Sequence, residues 1–87
     1  MEDGVRKELE TLKMMMKNWR RGFLTWAEPN ADNDYILKEF HEEISDQVLP
    51  YITRLMGLEY LNQAEAAEFM DFCYQQVEGL KRDIEGM

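Results

Sequence analysis

The chain has 87 residues, of which 45% are hydrophobic and 32% are charged, and its formal net charge at pH 7 is −8. This length indicates a single domain over residues 1–87, near the size at which one core is only just sufficient. The one cysteine, Cys73, excludes an intramolecular disulfide framework and favours a reducing, cytoplasmic setting. Apolar runs such as Met14–Met16 are far shorter than the roughly 20 residues of a membrane-spanning helix. The acidic start also differs from a secretory signal peptide.

The charge is unevenly distributed along the chain. Residues 1–26 contain six basic and four acidic residues, a net of +2, and residues 27–87 contain four basic and fourteen acidic residues, a net of −10. An acidic chain is repelled by phosphate polymers and by anionic lipid. The composition therefore argues against a general nucleic-acid-binding protein and against a membrane-surface protein.

The first predicted helix covers residues 4–27. Its apolar residues recur at alternating steps of four and three, a heptad spacing that places them along one helix face, which we call a seam. The seam consists of Val5, Leu9, Leu12, Met16, Trp19, Phe23 and Trp26. Pro29 disfavours helical geometry in the residue before it and is expected to end the helix. The Asn- and Asp-rich turn that follows supplies N-cap and first-turn acidic residues to the next helix.

The second predicted helix covers residues 33–56. Its seam is flanked by Ile36 and Ile52 and consists of Leu37, Phe40, Ile44, Val48, Tyr51, Leu55 and Leu58. Pro50 falls inside this helix, where it removes one backbone hydrogen bond and clashes with a preceding carbonyl at a cost of about 3 kcal/mol. Because the apolar spacing continues past it, the sequence predicts a helix kinked near Pro50. Gly57 is expected to end the helix as a left-handed cap.

The third predicted helix covers residues 63–85. Asn62 as N-cap and Glu65 three residues later form a variant of the capping box. The seam again has steps of four and three and consists of Ala66, Met70, Cys73, Val77, Leu80 and Ile84. Three helices of this length joined by short connections are expected to stack antiparallel. The predicted fold is therefore all-α, an up-down-up antiparallel three-helix bundle.

Metal chemistry finds little support in the sequence. Carboxylate-bridged di-iron bundles need a Glu-x-x-His pair on each of two helices, whereas this chain has one histidine, His41, with Lys38 three residues before it. The segment 30–34 resembles the start of a calcium loop, but Tyr35 and His41 occupy the positions of the required glycine and glutamate. No metal or cofactor is predicted. Whether the acidic cluster has a functional role stays open; it consists of Glu39, Glu42, Glu43 and Asp46.

Catalysis is not predicted either. Cys73 falls on the seam of the third helix, where a buried structural cysteine is the expected interpretation. Ser45 has no catalytic motif around it, and the glycines are isolated, so no phosphate-binding loop is present. We therefore expect a protein that is not an enzyme. A role for Cys73 beyond packing stays open.

A nucleic-acid-associated regulator is the first alternative function. Lys13, Lys17, Arg20 and Arg21 form a basic stripe on the first helix with no acidic residue among them, and tryptophan rings can stack on bases. The tryptophans, however, lie on the seam and not on the stripe, and the rest of the chain is acidic. A metal- or small-ligand-binding bundle is the second alternative.

A protein interface is the preferred hypothesis. Each helix has more apolar residues than one narrow seam requires, and a bundle of this size cannot easily bury two tryptophans, four phenylalanines and four tyrosines. Large exposed apolar patches usually mark interfaces, where tryptophan, tyrosine, methionine and arginine are enriched. The sequence therefore predicts a small, soluble, cytoplasmic protein that acts through protein–protein contacts and self-associates, most simply as a homodimer.

The segment Lys17–Trp26 contains the expected contact residues. Trp19 and Trp26 flank Gly22 on one helix face, which predicts an aromatic notch with a glycine floor, filled by a neighbouring helix of the chain or by a partner. Glycine inside a helix costs about 1 kcal/mol relative to alanine, which fits a position where something packs closely. The predicted partner-binding residues are Trp19, Gly22, Phe23, Trp26, Arg20 and Arg21.

Overall fold

The computed structural model of the protein describes residues 2–87 and contains three helices over that range. The first helix is Asp3–Leu24 and the third is Gln63–Glu85. The second helix has three consecutive parts, an α-helical part Asp34–Glu43, a π-helical turn Ile44–Val48 and an α-helical part Leu49–Gly57. The predicted all-α three-helix bundle is confirmed, with helix bounds that differ by one to three residues at most ends.

The first helix ends earlier than predicted. The amide of Thr25 bonds to the carbonyls of Arg21 and Gly22, and its hydroxyl donates to the Gly22 carbonyl at 2.6 Å. These bonds tighten the last turn, so that Trp26 lies beyond the helix and is 62% exposed. The prediction that Trp26 continues the buried seam is therefore wrong. The rest of the seam packs as expected, since Val5, Leu9 and Met16 are buried and the others are partly buried against the core.

The turn at 28–33 is held by the side chain of Asn33. Its Oδ1 accepts from the Glu28 amide at 3.1 Å, and its Nδ2 donates to the Glu28 carbonyl at 3.1 Å. Asp32 accepts from the Asp34 amide at 3.0 Å. The polar residues of this turn therefore fix the entry into the second helix by local hydrogen bonds, and Asp34 places a negative charge in its first turn.

A π-helical turn, Ile44–Val48, lies immediately before Pro50, where the sequence predicts a kink. The amide of Leu49 donates to the Ile44 carbonyl, five residues back, and Pro50 has no amide hydrogen to donate. A π turn contains more residues than an α turn, so Ile44 and Val48, four residues apart, can both stay on the buried side. The buried residues of this helix are Ile36, Phe40, Ile44, Val48, Ile52 and Leu55. Leu58, predicted on the seam, is 57% exposed.

The second helix ends at a left-handed residue that is not a glycine. Glu59 has φ of 64°, whereas no glycine among the described residues has positive φ. The Tyr60 amide bonds to the Leu55 carbonyl at 2.9 Å and the Glu59 amide to the Met56 carbonyl at 3.0 Å, which is the Schellman pattern. The prediction that Gly57 is the left-handed cap is wrong, because Gly57 is still helical.

Glu59→Gly is expected to raise the free energy of unfolding by about 1 kcal/mol, because glycine has no Cβ to oppose the left-handed conformation. Chemical denaturation measures the change. Glu59→Ala is the matched control and should bring no such gain, since alanine keeps the strain. Gly57→Ala should also stabilise, because a Cβ there has no neighbouring atom within 4 Å. Destabilisation by Gly57→Ala would contradict the assignment of the cap.

The third helix begins with the predicted capping box. The Glu65 amide donates to Asn62 Oδ1 at 2.8 Å, and the Asn62 amide donates to Glu65 Oε1 at 3.0 Å. Leu61 and Ala66 are both 4% exposed, so an apolar contact region accompanies the cap. This part of the sequence-based prediction is confirmed in detail.

The three helices surround one core. The third helix packs on both others and runs parallel to the first, because Lys13 lies over Phe72 and Arg20 contacts Asp83. The residues with almost no exposed surface are Met16, Ile36, Phe40, Ile44, Ile52, Cys73 and Leu80. The bundle measures 46 × 19 × 17 Å, with a radius of gyration of 14.3 Å. Compact domains of this length have a radius of about 12 Å, so the molecule is elongated.

Within residues 2–87, none of the helices combines the length and the apolar character that crossing a membrane would require.

Candidate functional site

An apolar groove of about 480 Å³ lies between the C-terminal part of the first helix and the N-terminal part of the second. We call it the aromatic groove. It is lined by Asn18, Trp19, Gly22, Phe23, Thr25, Trp26, Glu39 and Glu43. Four of the six predicted partner-binding residues therefore lie together in it, although Trp26 reaches it from the turn beyond the helix.

The aromatic side chains of the groove are anchored to the core. Phe23 stacks on Phe40 with ring centroids 5.2 Å apart and planes inclined by 27°, and Phe40 has no exposed surface. Trp26 meets Phe23 edge-on at 5.7 Å. Edge-to-face and offset stacked pairs are the favoured aromatic geometries. Trp26 therefore presents an exposed ring in an orientation that the core determines through Phe23.

Gly22 forms an open floor between the two tryptophans. A Cβ placed on Gly22 would have no neighbouring atom within 4 Å, so no helix of this chain fills the predicted notch. Of the two predicted occupants, a neighbouring helix of the same chain is thus excluded. The helix-weakening cost of a glycine at this position has no intramolecular packing reason.

Arg20 lies outside the groove, on the side of the first helix that faces the third. Its Nε donates to Asp83 Oδ2 at 2.9 Å and its Nη1 to Gln76 Oε1 at 3.3 Å. This hydrogen bond from Arg20 lowers the pKa of Asp83, and the charges of Arg20 and Arg82 act in the same direction. A Cβ on Gly79 would lie 2.5 Å from Arg20 Cζ. Gly79 therefore makes room for a guanidinium that joins two helices.

Arg21 is exposed and does not line the groove; it borders a separate cavity with Arg20 and Asp83, and its Nη1 donates to Oδ1 of the groove residue Asn18 at 3.4 Å. Glu39 and Glu43 line the groove from the second helix. The ion pairs among the described residues are Lys13–Glu10, Arg20–Asp83 and Lys38–Glu42. Arg21, Glu39 and Glu43 belong to none of them. Within residues 2–87, the charged residues that line the groove are therefore both acidic, and neither forms one of these ion pairs.

The residues of the basic stripe on the first helix make different contacts with the rest of the chain. Lys13 and Lys17 lie over the ring of Phe72, at 5.3 and 6.0 Å from its centroid. Lys13 also approaches Glu10 at 3.8 Å, and Arg20 is bound by the third helix. Stacking of bases on the tryptophans would bring phosphates towards the acidic edge of the groove. The nucleic-acid alternative stays a prediction without a structural feature that favours it.

The acidic cluster of the second helix does not converge on a point. Over residues 2–87, no three histidine, cysteine, aspartate or glutamate side chains are grouped to hold a metal ion. His41 stacks on Tyr74 with centroids 4.9 Å apart, and the Tyr74 hydroxyl lies 3.1 Å from Ser45 Oγ. These contacts give His41 and Ser45 a structural partner on the third helix.

Cys73 lies in the core with no exposed surface, and burial raises its pKa from 9.0 to about 11. At neutral pH it is a buried neutral thiol without access to a substrate. This placement matches the structural role that its seam position indicated.

Sequence reasoning missed Glu39 and Glu43 as groove residues. They are four residues apart and flank Phe40, so one side of the second helix presents both to the same neighbour. They belong to a longer acidic cluster whose role the sequence left open, and the spacing within that cluster did not single them out. Comparison with protein-family models, with curated proteins and with solved structures finds no match to this chain.

Proposed function

We propose that this protein acts in the cytoplasm through noncatalytic protein–protein contacts and that it self-associates as a dimer through the aromatic groove. The single observation that carries the proposal is the open Gly22 floor beside the 62% exposed, core-anchored Trp26. A rigid aromatic ring beside an empty apolar hollow offers contact area at little cost in side-chain entropy. Buried tryptophans near the centre of an interface are common hot spots of binding.

Two features support contact with protein over contact with a small substrate. The groove surface is mainly apolar and includes the rings of Trp19, Phe23 and Trp26, and aromatic residues are enriched in protein interfaces. The described titratable groups with raised pKa values, Tyr51 and Cys73, lie outside the groove. Enzyme sites typically place such perturbed groups in the cleft itself.

The test is light scattering after size exclusion, from low to tens of micromolar protein. The wild-type mass should rise towards twice the 10.4 kDa of one chain. Trp26→Ala should weaken the dimer by at least roughly ten-fold, as expected for a hot-spot residue. At a concentration low enough for both proteins to be monomeric, its thermal stability should match that of wild type closely, because the ring is mainly exposed.

Leu58→Ala is the matched control, since Leu58 is 57% exposed at the opposite end of the bundle. It should leave self-association unchanged. A wild-type protein that stays monomeric throughout, or an equal loss of dimer in Leu58→Ala, would contradict the proposal.

A further inference from the structure

The aromatic groove carries charge of one sign only. Its lining contains Glu39 and Glu43 and no lysine or arginine. Neither carboxylate belongs to an ion pair within residues 2–87. Because they are four residues apart on the second helix, they follow each other along one side of it, one turn apart. The groove therefore combines an apolar surface with two negative charges that no ion pair of the described residues neutralises.

A second copy of the chain cannot neutralise these charges with its own groove. A dimer through the groove places Glu39 and Glu43 of both copies in one interface, two carboxylates from each copy. The chain also has a formal net charge of −8, so two copies repel each other at longer range. Like charges therefore oppose self-association, whereas a positively charged occupant is attracted to the same two carboxylates.

We infer that the aromatic groove is the docking site of an amphipathic helix from another protein, with an apolar face and with lysine or arginine residues one turn apart beside that face. Its apolar side chains fill the hollow at Gly22 between Trp19 and Trp26. Its cations pair with Glu39 and Glu43. This inference rests on the proposed function only in taking the groove as a surface for protein contacts. It adds the chemistry of the partner, and it makes the second copy a competitor that this partner displaces.

The shape of the groove suits a helix. It lies between two neighbouring helices and has a volume of about 480 Å³, and helices dock in apolar grooves through side chains at i, i+3, i+4 and i+7. A Cβ on Gly22 would have no neighbouring atom within 4 Å, so the first helix is open there to an incoming side chain. Trp26 is 62% exposed, and its ring meets Phe23 edge-on at 5.7 Å. The apolar surface is therefore exposed and oriented before a partner binds.

The probe is a synthetic peptide of roughly 18 residues, long enough to form a helix, with leucines at i, i+3, i+4 and i+7 and lysines at most other positions. One control peptide has glutamates in place of the lysines. The other keeps the composition of the probe but scatters the leucines around the helix, so that only nonspecific charge attraction remains. NMR titration of the full chain should show shifts at Gly22 and Trp26, and the probe should bind at least about ten-fold more tightly than either control.

Glu39→Gln combined with Glu43→Gln removes the two charges and keeps the size of the side chains. This double variant should bind the probe on the order of ten-fold more weakly at low salt, because two ion pairs are lost. Its self-association should instead become stronger, because the like charges leave the dimer interface. Asp71→Asn combined with Glu78→Gln is the matched control, since both side chains are exposed on the third helix, outside the groove lining. It changes the net charge equally and should shift both equilibria by no more than about two-fold.

Salt provides a second measurement that needs no variant. Added salt screens charges, so it should weaken the complex of wild type with the probe and strengthen the wild-type dimer. In light scattering after size exclusion, the probe should also lower the mass from that of a dimer towards that of a one-to-one complex. A variant that failed to fold would lose both the dimer and the binding of the probe, so shifts in opposite directions cannot come from misfolding.

The outcomes separate this inference from the proposed function. Failure of the probe to bind, or equal binding of the probe and either control peptide, overturns the inference. A dimer that weakens when Glu39 and Glu43 are neutralised also overturns it, since the second copy then supplies the cations. In each of these cases a wild-type dimer that depends on Trp26 leaves the proposed self-association standing. A wild-type protein that stays monomeric but binds the probe in the groove overturns self-association and supports the inference.

Discussion

Phe40→Ala is expected to lower the free energy of unfolding by about 3 to 5 kcal/mol, the usual range for a large aromatic side chain removed from a core. Phe40 has no exposed surface and stacks on Phe23 at 5.2 Å. The change therefore removes buried area and leaves a cavity where the first two helices meet. A domain of this length has about 4 to 13 kcal/mol of stability in total, so the loss is a large fraction of the whole.

Urea denaturation at low protein concentration in a Trp26→Ala background measures this change, because self-association adds stability by mass action. Phe40→Leu should cost less, since it retains most of the volume. Tyr35→Ala, at a 57% exposed position of the same helix, should stay within about 0.5 kcal/mol of its parent. Equal losses for Phe40→Ala and Tyr35→Ala would contradict the core position of Phe40.

The thiol of Cys73 should be nearly inert in the native protein. Its pKa is raised from 9.0 to about 11 by burial, so at pH 8 its thiolate fraction is about 100-fold lower than that of a free cysteine, and its surface is inaccessible. Reaction with an aromatic disulfide reagent should therefore be at least about 100-fold slower in buffer than in denaturant. Rapid reaction in buffer would contradict the burial of this residue.

The same shift makes the fold sensitive to alkali. Between pH 9 and 11 the unfolded chain loses the Cys73 proton while the folded chain keeps it, so the unfolded state binds fewer protons and stability falls as pH rises. The loss from this group is on the order of 2 kcal/mol by pH 11. The pKa of Tyr51 is raised to about 12, mainly by burial, so the free energy of unfolding continues to fall above pH 10.

Cys73→Ala separates the contribution of Cys73 to the alkaline loss of stability from that of Tyr51. It costs stability at pH 7 by removing buried volume, but its unfolding free energy should decline less than that of wild type between pH 9 and 11. Parallel pH profiles for the two proteins would show that the thiol keeps its ordinary pKa in the fold.

The buried face of a helix was predictable where the apolar residues kept one spacing along the whole helix. The seams of the first and third helices pack into the core largely as their spacing indicated. In the second helix the buried residues Ile36, Phe40, Ile44, Val48 and Ile52 are four apart, which resembles scatter around a heptad, and the π turn Ile44–Val48 lies within this series. Such a turn depends on the missing amide hydrogen of Pro50 and on packing against the third helix. Neither produces a repeat in the spacing of apolar residues.

The candidate site was partly predictable for a related reason. Trp19, Gly22 and Phe23 were placed by helix spacing, and they do line the groove. Arg20 and Arg21 are neighbours in sequence and border the same cavity beside the third helix, and neither lines the groove. Which of them stays free depends on Asp83, Gln76 and the missing side chain of Gly79 on another helix. Contacts of that kind come from tertiary structure alone.

The elongated shape has a consequence for how this protein reorients in solution. All three helices run along the 46 Å axis, and the N–H bonds of a helix are nearly parallel to its own axis. Amides in the helices therefore relax through the slow end-over-end rotation. Amides in the turns at 25–33 and 58–62 also sense the faster spin about the long axis. Their NMR transverse relaxation will be slower than in the helices even where Asn33 and Glu59 hold those turns rigid, so that backbone dynamics require an axially symmetric diffusion tensor.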